Sequence, residues 1–334
     1  MILSFPQNSH SLSPIEVLPV EILINIFSKI EWKSLINIKK TCKRFHIIVE
    51  NNLKYLQKPK LRRLFASSII QNESKIKVEF TFHFDRDKEI SINEFNIDLS
   101  KTMIKTIKID YLLERMDLNK VQEIFIDAIG DTIIFDILNR HFPLNFKIRQ
   151  LYITIKNCPV FQSFVKFLKK INSLKNMYIK HLCFGDQKIS SDYIFPNING
   201  IKQFYIKECP KTKFFNIRML KNLLNFHKNL DQITILSELV NLEFDMINIF
   251  RNKQTLKHKE KCEQDYFSII LPYRNPMSTF NLLKEHYNES TLIINEDIRF
   301  HNSIYVTTEC IHCEVFDYIH FLYLKPERYW EECC

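Results

Sequence analysis

The 334-residue chain is 46% hydrophobic and 13% aromatic, enough to build a large core and too much for a disordered polypeptide. Its 47 basic and 38 acidic residues leave a net charge of +9, mild for the size and below the excess of a dedicated nucleic-acid binder. Nine cysteines in no regular framework point to reduced thiols in the cytoplasm or nucleus, and three glycines leave no phosphate-cradling loop or dinucleotide fingerprint.

Residues 1–14, MILSFPQNSHSLSP, lack the basic start and apolar run of a signal peptide and are expected to be a flexible terminus. No apolar stretch approaches the length of a membrane span. From Leu18 to Val49 the chain predicts three short helices. Pro19 suits a first turn, where its missing N–H is no loss, and Glu21 lies near the positive helix end. Ile22, Leu23, Ile26, Phe27 and Ile30 repeat at helical spacing, Leu35 and Ile38 mark a second helix, and Cys42, Phe45 and Val49 a third. A unit this small cannot hide that much apolar surface within itself, so part of it is expected to meet a partner.

Leu18-Pro19, Ile22-Leu23, Ile26-Phe27, Leu35 and the cluster Cys42-Lys43-Arg44-Phe45 together resemble the F-box, in order, spacing and residue type. Ser34 stands where the family often has Asp; both can accept a hydrogen bond at a helix start. The resemblance covers residues 15–55 and implies docking onto the Skp-type adaptor of a cullin–RING ubiquitin ligase. Leu18, Pro19, Ile22, Leu23, Ile26, Phe27, Leu35 and Phe45 would form or support the docking surface.

Residues 56–100 read as a linker and a β-hairpin. Val78, Phe80, Phe82 and Phe84 alternate onto one face, and Ile90, Ile92 and Ile97 suggest the partner strand. Between residues 101 and 251, six segments share the pattern apolar-x-x-apolar-x-apolar. They are Ile104-Ile107-Ile109, Val121-Ile124-Ile126, Ile148-Leu151-Ile153, Leu174-Met177-Ile179, Ile201-Phe204-Ile206 and Leu230-Ile233-Ile235. From Val121 the starts are 27, 26, 27 and 29 residues apart, and the first interval is 17. This resembles a degenerate leucine-rich repeat, one strand and one returning helix per unit. Phe161, Phe164, Val165, Leu168 and Ile171 predict one return helix, and Ile217, Leu220, Leu223 and Leu224 another. Cys209 alone sits three residues past its strand, where such repeats place Asn or Cys. The expected fold class is therefore α/β: a three-helix F-box followed by an irregular leucine-rich-repeat-like solenoid with parallel strands.

Residues between the apolar positions of each strand should point to the open side. One column then holds Lys108, Phe125, Tyr152, Tyr178, Tyr205 and Thr234. The next holds Asp110, Asp127, Thr154, Lys180 and Lys207, and the opposite flank Gln122, Arg149, Lys175 and Lys202. Rigid amphipathic rings edged by positive charge suit an interface. Phe125, Tyr152, Tyr178, Tyr205, Arg149, Lys175, Lys180, Lys202 and Lys207 are the expected target-binding residues, for an extended, acidic or phosphorylated segment. The alternative is that aromatics simply favour strand positions.

Residues 252–334 predict strands at Tyr266–Leu271, Leu292–Ile294, Ile304–Thr307 and Tyr318–Leu324, with a helix from Met277 to Tyr287. They fit either distorted repeats or a separate α/β cap. Cys310-Ile311-His312-Cys313 has metal-ligand spacing without a second pair, and the terminal Cys333-Cys334 resembles a lipidated twin-cysteine end. Neither a metal helix nor a nucleophile elbow occurs. The expectation is a non-catalytic substrate receptor of an SCF-type ligase that takes no cofactor. The alternatives are an F-box scaffold without a ubiquitination role, or a nucleic-acid-associated repeat protein using its basic edge.

Overall fold

The computed structural model describes residues 15, 17–72, 75–84, 89–98, 107–130, 133–159, 161–190, 193–227, 230–237, 244–248, 266–272, 276–285, 287, 292–295, 300–309 and 316–324. The chain forms two compact units: Met1–Lys60 with Tyr111–Asp117, and Leu61–Asp110 with Leu118–Cys334.

In the first unit, α1 (Val20–Ser28), α2 (Trp32–Thr41) and α3 (Lys43–Asn51) surround one small core. Leu23, Phe27, Leu35, Phe45, Ile48, Val49 and Leu56 fill it, and the Phe27 and Phe45 rings meet edge to face with centroids 5.4 Å apart. Pro19 is the N-cap of α1, and its carbonyl accepts the first helical bond from Leu23 N–H at 3.1 Å. Glu31, not Ser34, precedes α2; Ser34 lies inside the first turn. Cys42 caps α3, its Sγ accepting the Phe45 N–H at 3.5 Å. Arg44 donates from Nη2 to the Leu18 carbonyl at 2.7 Å, tying the start of α1 to α3. The Cys-basic-basic-aromatic cluster is thus a cap, a cross-helix clasp and a core ring.

Glu50, near the end of α3, takes ion pairs from both Lys39 and Arg115, and the Arg115 guanidinium lies 3.1 Å from the centre of the Tyr111 ring. Burial alone would raise the Glu50 carboxyl, but the hydrogen bonds and charges of Lys39 and Arg115 outweigh it and hold the pKa below the ordinary value.

The second unit is an α/β fold built on a mostly parallel sheet. Among the described residues it has twelve strands: β1 (Leu61–Asn72), β2 (Lys75–Phe84), β3 (Glu89–Asp98), β4 (Glu123–Ile129), β5 (Phe146–Lys156), β6 (Ile171–Leu182), β7 (Gln203–Glu208), β8 (Gln232–Leu236), β9 (Tyr266–Pro272), β10 (Leu292–Asn295), β11 (Phe300–Glu309) and β12 (Phe316–Leu324). Their order is β10-β11-β12-β9-β8-β7-β6-β5-β4-β1-β2-β3. From β4 to β9 each strand lies parallel beside its predecessor in the chain. Helices α5 (Ile133–His141), α6 (Phe161–Leu168) and α7 (Ile217–Phe226) make three of the returns.

The alternation expected of these strands puts Ile124, Leu151, Met177, Phe204 and Ile233 in one fully buried row, with Ile126, Ile153, Ile179, Ile206 and Ile235 in the next. Aromatic rings join this face to the returning segments. Phe146 of β5 meets Phe167 of α6, Phe135 of α5 meets Phe164, and Phe204 of β7 meets Phe215. At the end of β7 the buried Glu208 accepts the Phe214 and Phe215 amides through Oε2 at 3.1 and 2.9 Å, and the Ser237 hydroxyl through Oε1.

The structure corrects several expectations. In the first repeat, Ile107 and Ile109 lie in a helix, α4 (Ile107–Glu114), not a strand, and Ile104 lies outside the described residues. Ile109 and Leu113, four apart, are buried at helical spacing, and Lys108 has no place in the sheet. Asp110 instead pairs with Arg140 at 3.1 Å and His141 at 2.5 Å, both of α5. Ile171 opens β6 rather than closing α6. The segment read as linker contains β1, which joins the hairpin β2–β3 to the parallel run by pairing antiparallel with β2 and parallel with β4. The imperfect alternation of Ile90, Ile92 and Ile97 has a cause: the β2–β3 register shifts between Val78 and Phe80. The C-terminal strands continue the same sheet, β9 beside β8 and β12 beside β9, before turning antiparallel through β11 and β10. The helix expected from Met277 to Tyr287 spans Pro276–Lys284.

Candidate functional site

Each unit presents one surface suited to binding. On α1, Leu23 and Phe27 point into the core, while Pro19, Ile22 and Ile26 follow one another at helical spacing on the outer side. Ile22 is 46% and Ile26 37% exposed, and Val17 just before the helix is 65% exposed. The expected docking residues therefore divide. Pro19, Ile22 and Ile26 are available at the surface and Leu18 is half-buried; Leu23, Phe27, Leu35 and Phe45 are core residues that hold the helices in place. Ile36 and Ile47, at 43% and 47% exposed, add apolar surface on α2 and α3 that the motif did not single out.

On the second unit, the register places Phe125, Tyr152, Tyr178 and Tyr205 opposite one another on adjacent strands. The column has a further member, Phe65 of β1, paired with Phe125. Ring centroids are 4.3 Å apart for Phe65–Phe125, 4.6 Å for Phe125–Tyr152 and 4.7 Å for Tyr152–Tyr178, with planes within 11° throughout. Such rings cover each other's faces, so what they offer outward is ring edges and phenol oxygens. Two of those hydroxyls are engaged: Tyr152 donates to Gln150 Oε1 at 3.3 Å and Tyr178 to Gln203 Oε1 at 2.5 Å. Burial, and for Tyr178 also the neighbouring Tyr152, pushes the Tyr178 and Tyr205 phenols above their ordinary pKa. The column ends at Thr234, which is buried.

Charge changes sign across this face. Near β1 a groove of about 320 Å3 is lined by Phe65, Phe125, His83, Glu79 and Asp127. Beyond it the expected acidic-to-basic column breaks. The β5–β6 register shifts after Ile153–Ile179, so His181, not Lys180, lies opposite Thr154. Lys180 is the extra residue of that irregularity, exposed, with its Nζ 5.3 Å from the centre of the Tyr152 ring. Lys207 is half-buried on β7.

Arg149, Lys175 and Lys202 lie at the N-terminal ends of successive strands. Their backbone is fixed by bonds from Arg149 N–H to the Gln122 carbonyl at 2.7 Å and from Lys202 N–H to the Lys175 carbonyl at 2.8 Å. A second groove of about 370 Å3 runs along this edge.

The opposite ends of the strands hold a feature the sequence pattern gave for Cys209 alone. Cys158, Cys183 and Cys209 are all buried just past β5, β6 and β7. Cys158 N–H bonds the Cys183 carbonyl at 3.1 Å, Cys209 N–H bonds the Leu182 carbonyl at 2.9 Å, and Cys158 Sγ donates to the Ala128 carbonyl at 3.3 Å. The three stand five, four and three residues after Ile153, Ile179 and Ile206, so a fixed offset finds only one of them.

Among the described residues no group of three or more His, Cys, Asp or Glu side chains is placed to hold a metal ion, and no helix is long and apolar enough to cross a membrane. Cys310–Cys313, Cys333, Cys334, the basic run Lys253–Lys261 and residues 1–14 lie outside the described residues. Compared with known families, residues 15–56 match the F-box-like model, a span that contains α1, α2 and α3. The curated proteins give no match.

Proposed function

We propose that this chain, which carries an F-box-like domain at residues 15–56, is the non-catalytic substrate receptor of an SCF-type ubiquitin ligase. The observation that carries the reading is the split surface of α1. Leu23 and Phe27 suffice to anchor the helix, yet Pro19, Ile22 and Ile26 remain outside on the adjoining stripe. Isolated helices do not keep such a stripe in water without a partner to cover it. A Skp-type adaptor, itself held by a cullin–RING scaffold, is the partner that the F-box-like match suggests. The α/β unit would then hold the target on its aromatic face, raising the effective concentration of a target lysine near a ubiquitin-loaded enzyme. Six parallel strands laid down in chain order, with buried cysteines past three of them, support a degenerate leucine-rich-repeat-like array. Among the described residues Cys42, Cys158, Cys183 and Cys209 are not joined in disulfides, which favours the cytoplasm or nucleus.

Affinity purification of the chain under proteasome inhibition tests this. Recovery of adaptor and cullin together supports the receptor. Recovery of adaptor without cullin leaves a scaffold, and recovery of neither removes the proposal.

A further inference from the structure

On the open side of the sheet a row of side-chain amides runs beside the ring column. Gln150 of β5, Asn176 of β6, Gln203 of β7 and Gln232 of β8 lie opposite one another in register, each two residues before a member of the column. All four are half-buried. The phenols orient two of them: Tyr152 donates to Gln150 Oε1 at 3.3 Å, and Tyr178 reaches across to Gln203 Oε1 at 2.5 Å. With each of those carbonyls taken, the branch of the amide left for a guest is the N–H donor. Among the described residues the Asn176 and Gln232 amides and the Tyr205 hydroxyl make no hydrogen bond. The spacing then selects the guest. Gln150 and Gln203 stand two strands apart, about 9.6 Å. A polyproline II helix returns a carbonyl to the same side every third residue, about 9.3 Å, and leaves it without an internal partner. An extended strand repeats at about 6.7 Å and brings an N–H with each carbonyl, setting donor against donor. An α-helix uses its carbonyls internally. Proline has no N–H to set against these donors.

We propose that this face binds a proline-rich segment of the target in the polyproline II conformation, an inference that rests on the α/β unit being the target-holding half. Gln150 and Gln203 donate to carbonyls one turn apart, and Tyr205 offers an O–H beside Gln203. The edges of the stacked rings give the pyrrolidine rings an apolar ridge. Charge sets the flanks. Asp127 on β4 and Lys207 on β7 make no ion pair among the described residues. They stand three strands apart, about 14 Å. Four prolines between a lysine and a glutamate span about 15 Å at about 3.1 Å per residue, so the basic flank meets Asp127 and the acidic one Lys207. Such a segment is stiff before it binds and loses little entropy on docking.

The test uses the full chain co-purified with its adaptor and four fluorescein-labelled peptides read by anisotropy. These are Lys-Pro-Pro-Pro-Pro-Glu, the same flanks around Gly-Ser-Gly-Ser, the same flanks around Thr-Val-Thr-Val, and Gln-Pro-Pro-Pro-Pro-Gln. The charged proline peptide should bind at least about tenfold tighter than either core without proline. The neutral proline peptide should fall between, and added salt should close its gap to the charged one while leaving the preference for proline. Gln150→Leu/Gln203→Leu should abolish that preference. Tyr205→Phe, which deletes one oxygen and keeps the ring, should weaken proline binding about fivefold and serves if the double variant unfolds the unit. A control pair on α6 and just beyond it, Lys166→Glu/Lys169→Glu, should leave binding unchanged. Equal or tighter binding of a core without proline, a neutral proline peptide no better than those cores, or an equal loss in the control pair overturns the proposal. Adaptor recovery is scored on the same samples. Its failure counts against the receptor reading, whereas absent proline preference with adaptor bound counts against this face alone.

Discussion

Tyr152 and Tyr178 stack with ring centroids 4.7 Å apart and planes 11° from parallel, each on the middle of its own strand. Phe125 closes the other face of Tyr152 at 4.6 Å. Tyr152 is therefore gripped on both sides, and it braces the sheet whether or not a target lies across it. Cross-strand aromatic pairs contribute about 0.2–1 kcal/mol each, so Tyr152→Ser should destabilise the α/β unit by about 1–2 kcal/mol with the lost burial added. The midpoint of urea unfolding should fall accordingly. An unchanged midpoint would mean that the stacking contributes nothing.

Target capture can be separated from that bracing. Replacing Tyr152, Tyr178 and Tyr205 by Ser should remove a captured target while adaptor recovery stays intact, at a temperature where the variant is folded by circular dichroism. Full capture by a folded triple variant would assign the ring column to structure alone.

The stripe on α1 predicts opposite outcomes for neighbouring residues. Ile22→Asp and Ile26→Asp should lose adaptor recovery with little change in folding, because both side chains are already exposed. Phe27→Ala, which empties the centre of the helical core, should cost about 3–5 kcal/mol and unfold the unit. Thermal unfolding beside co-purification distinguishes the two. Normal recovery with Ile22→Asp/Ile26→Asp would place the adaptor surface elsewhere.

Glu50 gives a pH signature. Its carboxyl is held below the ordinary value in the folded state, so it contributes stability that is complete above the unfolded pKa and is lost as pH falls through the lower, folded one. Unfolding of the wild type should become easier below about pH 4.5, and Glu50→Gln should flatten that part of the curve while lowering stability near neutrality. Parallel pH curves for the two proteins would show that the Lys39–Glu50–Arg115 cluster is not the source.

Glu208→Leu should be among the costlier single changes in the α/β unit. It strands the Phe214 and Phe215 amides in a buried turn, at about 1–3 kcal/mol for each. Glu208→Gln keeps one accepting oxygen and should lose less. Denaturant midpoints that rank the two variants the other way would contradict the assigned bonds.

Sequence patterns were readable wherever burial repeats at a fixed interval. From β4 to β8 the inner rows Ile124-Leu151-Met177-Phe204-Ile233 and the outer column Phe125-Tyr152-Tyr178-Tyr205 follow from alternation and spacing alone. Phe65 escaped because β1 joins this set from before the repeat begins, across a long-range parallel pairing with no local signature. Ile107 and Ile109 misled because spacing of two also occurs by chance on a helix, and the burial of Ile109 with Leu113 decides for α4. Lys180 was displaced by a register irregularity, which one added residue creates and no composition reveals. The basic groove was half visible. Arg149, Lys175 and Lys202 fell into a flank column, but Lys120 and Lys147 reach it from a turn and from one pleat further along.

The parallel run is bracketed by antiparallel pairings, β1–β2–β3 on one side and β12–β11–β10 on the other. That bracket sets a ruler. From Phe65 to Tyr205 the rings cross five adjacent strands, four spacings of roughly 4.8 Å, or about 19 Å. An extended guest laid across them at about 3.3 Å per residue is measured in some six residues, and neither margin can be lengthened by adding another unit of the same kind.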